Sequence, residues 1–158
     1  MTDRPVHLTV NGRPAPLPAV PDDERLLDSL RWRLGLKGSK EGCRTGGCGA
    51  CTVLVDGEST LACLTLTHEV DGSRVTTIEG VRDDPVGQRV VEAFADAGAV
   101  QCGYCSPGFV MALTGLLHEE GRAAPLEPLL EELASNLCRC TGYAAIVRAA
   151  RAAREGLP

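Results

Sequence analysis

The chain has 158 residues, 44% apolar and 23% charged, which suits one ordinary domain or two small ones in a globular state. Lys and Arg total 16 against 21 Asp and Glu, a formal charge of −5, and an acidic chain is a poor partner for nucleic acid, whose phosphates need a basic face. No apolar run has the length of a membrane span and the start, Met1-Thr2-Asp3-Arg4-Pro5, lacks a signal-peptide pattern, so a cytoplasmic, thiol-reducing setting without membrane insertion is expected.

In chain order, Val6, Leu8 and Val10 alternate as on a half-buried strand, and Asn11-Gly12 marks a hairpin. Residues 13–17 form the return strand, which Pro14 and Pro16 restrict to a short edge. Asp22 is the expected cap of a helix carrying Leu26, Leu27, Leu30 and Leu34, with Gly35 as its stop. A Gly-rich loop over 37–49 precedes strands at 52–55, 60–64 and 75–78, with a turn at Asp56-Gly57. The second half is helical. Asp84-Pro85 starts a helix buried through Val86, Val90, Val91 and Phe94. Ser106-Pro107 starts another through Phe109, Val110, Leu113, Leu116 and Leu117, stopping at Gly121. Leu126, Leu129, Leu130 and Leu133 mark a third, with Pro128 tolerable only in its first turn. A fourth runs from about residue 142 through Ile146 and Ala149 to about residue 155. The expected fold class is α+β, with an N-terminal domain over 1–82 and a C-terminal helical bundle over 83–158. Each half is too small for a generous apolar core, so a metal centre in each would add folding free energy.

Eight cysteines fall into two quartets. In a reducing compartment they read as metal ligands rather than disulfides. The first is Cys43-x4-Cys48-x2-Cys51-x11-Cys63, whose opening spacing matches the plant-type [2Fe–2S] run. Glycines around it let the loop take positive φ and bring N–H groups to sulfur, offsetting the charge of about −2 on an oxidised cluster. Four thiolates would also suit zinc, but zinc ribbons show two short pairs instead. The second quartet is Cys102-x2-Cys105 with Cys138-x-Cys140. Alone it is ambiguous between iron–sulfur, zinc and a redox C-x-x-C, although the helical context lacks the βαβ unit of a thioredoxin.

The surrounding residues are more specific. Gln101-Cys102-Gly103-Tyr104-Cys105-Ser106-Pro107-Gly108 and Asn136-Leu137-Cys138-Arg139-Cys140-Thr141-Gly142-Tyr143 resemble the iron–sulfur small subunit of the molybdenum hydroxylases, the family of xanthine dehydrogenase, aldehyde oxidoreductase and aerobic carbon monoxide dehydrogenase. So do Gly49-Ala50-Cys51-Thr52-Val53 and Leu26-Leu27-Asp28-Ser29-Leu30-Arg31, and the likeness runs from about residue 6 to about residue 151. Ser135 stands where the family usually has glycine. The resemblance implies a β-grasp ferredoxin-like domain followed by a four-helix bundle, each with one [2Fe–2S] cluster: Cys43, Cys48, Cys51 and Cys63 on the first, and Cys102, Cys105, Cys138 and Cys140 on the second. It makes Gln101 a contact to molybdopterin and Cys140 the pterin-proximal ligand. Electrons would pass from molybdenum through the helical cluster, then the ferredoxin-like cluster, to FAD. The molybdopterin and FAD would lie on a large and a medium partner subunit, in a dimer of heterotrimers, with no substrate site in this chain. The rival readings are a free-standing ferredoxin-like carrier and a zinc-stabilised interaction module.

His7, His68 and His118 lack a second histidine at ligand spacing and read as packing or surface residues, and Trp32 on the first helix reads as packing rather than an electron relay. Tyr104 and Tyr143 shield the cysteine loops or touch a partner. Lys37, Lys40 and Arg44 are most simply solvated, as are Arg148, Arg151 and Arg154.

Overall fold

The computed structural model describes residues 3–120 and 125–156. Its first half is a five-stranded mixed sheet in the order β2-β1-β5-β3-β4, with β1 Arg4–Val10, β2 Arg13–Val20, β3 Thr52–Val55, β4 Glu58–Leu61 and β5 Arg74–Thr76. β1 and β5 are parallel and the other pairs antiparallel.

The proline-rich return strand is longer than expected, and the ladder shows why. β2 is an edge, and Pro14 and Pro16 face Thr9 and His7. Those β1 residues turn their backbone groups the other way: Thr9 N–H donates to Ser73 (3.1 Å), and His7 carbonyl accepts from Gly72 (2.8 Å). No N–H is asked of either proline, so the strand continues to Val20. The expected strands over 60–64 and 75–78 sit earlier, ending at Leu61 and Thr76.

The helix in the crossover is also different in form. Asp22 does not cap it; Arg25 occupies the N-cap, and Asp22 meets Arg4 at 3.1 Å. A short α-turn, α1 (Leu26–Asp28), widens into a π-turn over Ser29–Arg33, closed by Leu34 N–H to Ser29 carbonyl at 3.0 Å. Leu26, Leu27 and Leu30 still form the buried stripe, packing with Val6, Val20, Val53 and Val75. Trp32 falls off that stripe and is exposed, beneath the cations of Arg31 and Lys37 at 5.4 and 5.7 Å, so it is not a packing residue.

The second half holds α2 Pro85–Asp96, α3 Ser106–Glu120, α4 Leu126–Leu133 and α5 Ala144–Glu155. Asp84 caps α2 by accepting from Val86 N–H at 3.0 Å, as the Asp-Pro pair implies. Pro128 lies in the first turn of α4, where its missing N–H costs nothing. The expected stop at Gly121 lies outside the described residues. α2 packs on α3 and α5, and α4 on the same two. The resulting core centres on Phe94, Phe109, Leu113, Leu117 and Ile146. α3 also lies across β3 and β4. Leu54 therefore joins the helical core while its neighbour Val53 joins the other, so β3 is buried on both faces.

Candidate iron–sulfur sites

Cys43 and Cys48 sit in the loop before β3, Cys51 abuts the first residue of β3, and Cys63 follows β4. Arg44, Gly46 and Gly49 in that loop all have positive φ, which curls the chain around the thiols. Arg25 ties the quartet together, since one guanidinium nitrogen donates to the carbonyls of both Arg44 and Cys63 at 2.9 Å. Arg44 is not simply solvated: Asp28 and Glu41 bind its guanidinium.

In the second half Cys105 abuts the start of α3, and Cys138 and Cys140 lie in the loop leading into α5. Two helix N-termini thus lie beside this quartet, where their positive ends favour an anionic centre. Tyr143 takes φ +66° at the N-cap of α5, its hydroxyl accepts from Cys138 N–H at 2.9 Å, and its ring meets Phe109 edge-on at 6.3 Å. Ser135 has no positive φ, and its hydroxyl donates to Glu132 carbonyl at 2.9 Å, so serine is accommodated where glycine is usual.

The thiols meet in twos. Cys43 is beside Cys48, Cys51 beside Cys63, Cys105 beside Cys138, and the sulfurs of Cys102 and Cys140 are 3.5 Å apart. Among the described residues no group of three or more His, Cys, Asp and Glu converges as a single ion requires. Two-plus-two suits a cluster of two irons, each taking two thiolates, better than one tetrahedral zinc. The thiols differ in readiness to bind. The Thr45 backbone N–H, at 3.4 Å, and then its side chain draw Cys43 down to about 6. At Cys138 burial opposes ionisation, but the Thr141 hydroxyl at 3.1 Å and backbone donors bring it down to about 7. Burial pushes Cys51 and Cys105 up to about 12. Each quartet therefore pairs a thiol whose ionisation hydrogen-bond donors favour with one whose ionisation desolvation opposes.

The three histidines are engaged elsewhere: His7 with Asp71, His68 with Val20 carbonyl, and His118 with Asp84. Gln101, Cys102 and Cys140 form an exposed rim, whereas Cys51 and Cys63 are buried. Leu64, Val100, Tyr104 and Leu137 flank the cysteines and each is about half exposed. The contacts that join the loops had no signal in the sequence. Leu137 N–H donates to Cys48 carbonyl at 3.0 Å, Asn136 amide to Gly49 carbonyl at 3.0 Å, and Tyr104 hydroxyl to Glu41 carbonyl at 2.6 Å. No local pattern marks such partners, which are 87 residues apart for Asn136 and Gly49.

Family comparisons agree with this geometry. Residues 8–76 match a 2Fe-2S iron-sulfur cluster binding domain, and residues 77–151 a [2Fe-2S] binding domain. The chain is 44% identical over 144 residues to the xanthine dehydrogenase iron-sulfur-binding subunit of Escherichia coli O157:H7, covering 90% of this chain and 89% of that protein. It is 41% identical over 150 residues to the nicotinate dehydrogenase small FeS subunit of Eubacterium barkeri, covering 95% and 94%. Among solved structures, a chain of quinoline 2-oxidoreductase from Pseudomonas putida 86 matches with a TM-score of 0.83 at 34% identity, covering 99% of both chains. Two [2Fe–2S] clusters are the cofactors of such a chain and electron transfer is its role. The fold, the paired thiols and these likenesses agree: the chain belongs to the iron–sulfur small-subunit family of the molybdenum hydroxylases.

Proposed function

We propose that Cys43, Cys48, Cys51 and Cys63 hold one [2Fe–2S] cluster in a β-grasp ferredoxin-like domain over 1–82, and that Cys102, Cys105, Cys138 and Cys140 hold the other in a four-helix bundle over 83–158. When bound, the two clusters carry single electrons from a molybdopterin centre on a large partner subunit to FAD on a medium one. The protein's own part is orientation, burial and charge balance around the thiolates. Asp28 and Arg25 hold the first loop, while Thr141, Tyr143 and two helix N-termini hold the second.

The observation that carries this reading is the polarity of exposure. The second quartet shows Cys102 and Cys140 at the surface beside Gln101, and its loop is hydrogen-bonded inward to Cys48 of the first. Such a path runs from a rim where a partner can dock to the more deeply buried quartet. Half-exposed apolar side chains beside both quartets support partner subunits covering them. Gln101 is then the amide that meets the pterin and Cys140 the nearest ligand to it. A cytoplasmic dimer of heterotrimers is the assembly; among the described residues no helix is long and apolar enough to cross a membrane. Affinity purification of the tagged chain from its native cell tests this. Molybdenum and FAD should co-elute with it, and a lone monomer without either would contradict the subunit reading.

A further inference from the structure

Three cysteine-bearing segments converge on one carbonyl. Gly49, between Cys48 and Cys51, accepts at its oxygen from Thr52 N–H (3.1 Å), Thr52 hydroxyl (2.7 Å) and Asn136 amide (3.0 Å). Asn136 is 2% exposed and lies two residues before Cys138. The first turn of α3, just after Cys105, closes the junction from a third side, since a Cβ on Gly108 would overlap the Gly49 oxygen and press on the Asn136 amide. A Cβ on Gly49 would overlap the Asn136 side chain. Asn136 is in turn fixed at the end of α4 by its N–H to Leu133 carbonyl (3.0 Å). Its neighbour Leu137 makes the backbone bond to Cys48. A buried amide with its donor used across the domain boundary, in a space with no slack, is a latch: its loss leaves the Gly49 carbonyl to Thr52 alone, removes the side-chain tie between the two cysteine loops and opens a void between them.

We propose that Asn136 is a positioning residue that fixes the separation and mutual orientation of the two cysteine quartets, and thereby the rate of electron passage between them. The inference rests on the two-cluster reading above. The step is one electron: the reduced helical cluster is oxidised and the ferredoxin-like cluster reduced, with no bond or proton changing at Asn136. The residue acts through the Cys48–Gly49 and Leu137–Cys138 backbones and touches no reacting atom.

The test uses the cluster-loaded protein, in its complex where it purifies as one, and compares Asn136→Ala, Gly108→Ala and Asn11→Ala. Asn11 is a partly buried asparagine with two bonds to Thr77, at 2.9 and 3.0 Å, and takes no part in the contacts of the junction. It controls for destabilisation alone. Asn136→Ala should retain both cluster spectra, weaken the magnetic splitting between the reduced clusters, slow inter-cluster transfer after flash reduction several-fold, and speed exchange of the Leu137 amide roughly tenfold. Gly108→Ala, which keeps the amide but crowds the carbonyl, should move the splitting and the transfer rate the same way. It carries the test by itself if Asn136→Ala loses a cluster. Asn11→Ala should lower the melting temperature and leave splitting and rate unchanged. Unchanged splitting and rate in the junction variants, or an equal change in Asn11→Ala, would overturn the inference while leaving the two-cluster reading intact. A parent protein lacking one cluster would overturn the reading itself.

Discussion

Gly49→Ala is expected to destabilise the protein by two separable effects. Gly49 has φ +66°, a region that costs an L-residue about 1–2 kcal/mol, and its new Cβ would overlap the buried Asn136 side chain, an overpacking worth about 1–3 kcal/mol more. For a chain of this size each kcal/mol moves the melting temperature by about 2–4 °C, so a drop of about 4–20 °C is expected. Two companions separate the contributions. Gly142→Ala meets φ +61° but open space, and should lose only the conformational part. Gly47→Ala has neither handicap and should stay within about 0.5 kcal/mol of the parent. The assay is a thermal ramp at fixed scan rate that follows visible cluster absorbance and far-ultraviolet circular dichroism together, because cluster loss makes unfolding irreversible. A Gly49→Ala midpoint equal to that of Gly142→Ala would show that Asn136 yields without cost, and the tight junction would be refuted.

Other outcomes follow from the same structure. Cys51→Ser should abolish the signal of the first cluster and spare most of the second, because Cys51 is buried beside Cys63 and away from the helical quartet; two unchanged electron paramagnetic resonance (EPR) signals would remove it from the ligand set. Gln101→Ala, at the exposed rim, should leave both clusters intact and slow their reduction by substrate in the complex; an unchanged reduction rate would leave the pterin contact without support. Glu24 is opposed by burial, but Arg33 at 2.6 Å through both carboxylate oxygens and the Ser29 hydroxyl outweigh it and hold it below its ordinary 4.5. Its folded value being the lower one, it contributes stability above that ordinary value and loses it as pH falls through the depressed one. Glu24→Gln should therefore cost about 1 kcal/mol at neutral pH and progressively less in acid; a difference independent of pH would contradict the pairing.

The chemistry was more legible in the sequence than its assembly. Thiol spacing shows through because Cys43, Cys48 and Cys51, and each of the pairs Cys102/Cys105 and Cys138/Cys140, lie close along the chain, and Asp84-Pro85 or Leu26-Leu27-Leu30 work through local rules of capping and periodicity. What stayed hidden depends on partners distant in sequence. The length of β2 follows from Gly72 and Ser73, just before β5, using the backbone groups of His7 and Thr9, which no reading of Pro14 and Pro16 could supply. The π-turn at Ser29–Arg33 and the exposure of Trp32 had no local signal either. Arg25 and Asn136 look ordinary in sequence, and only the folded chain brings one to Cys63 and the other to Gly49.

The most direct test of the whole account is the iron and acid-labile sulfide content of the anaerobically purified chain, read beside its reduced EPR spectrum. About four irons and four sulfides per chain, with two distinct [2Fe–2S] signals, are expected. Half that content with a single signal, or zinc in place of iron, would contradict it.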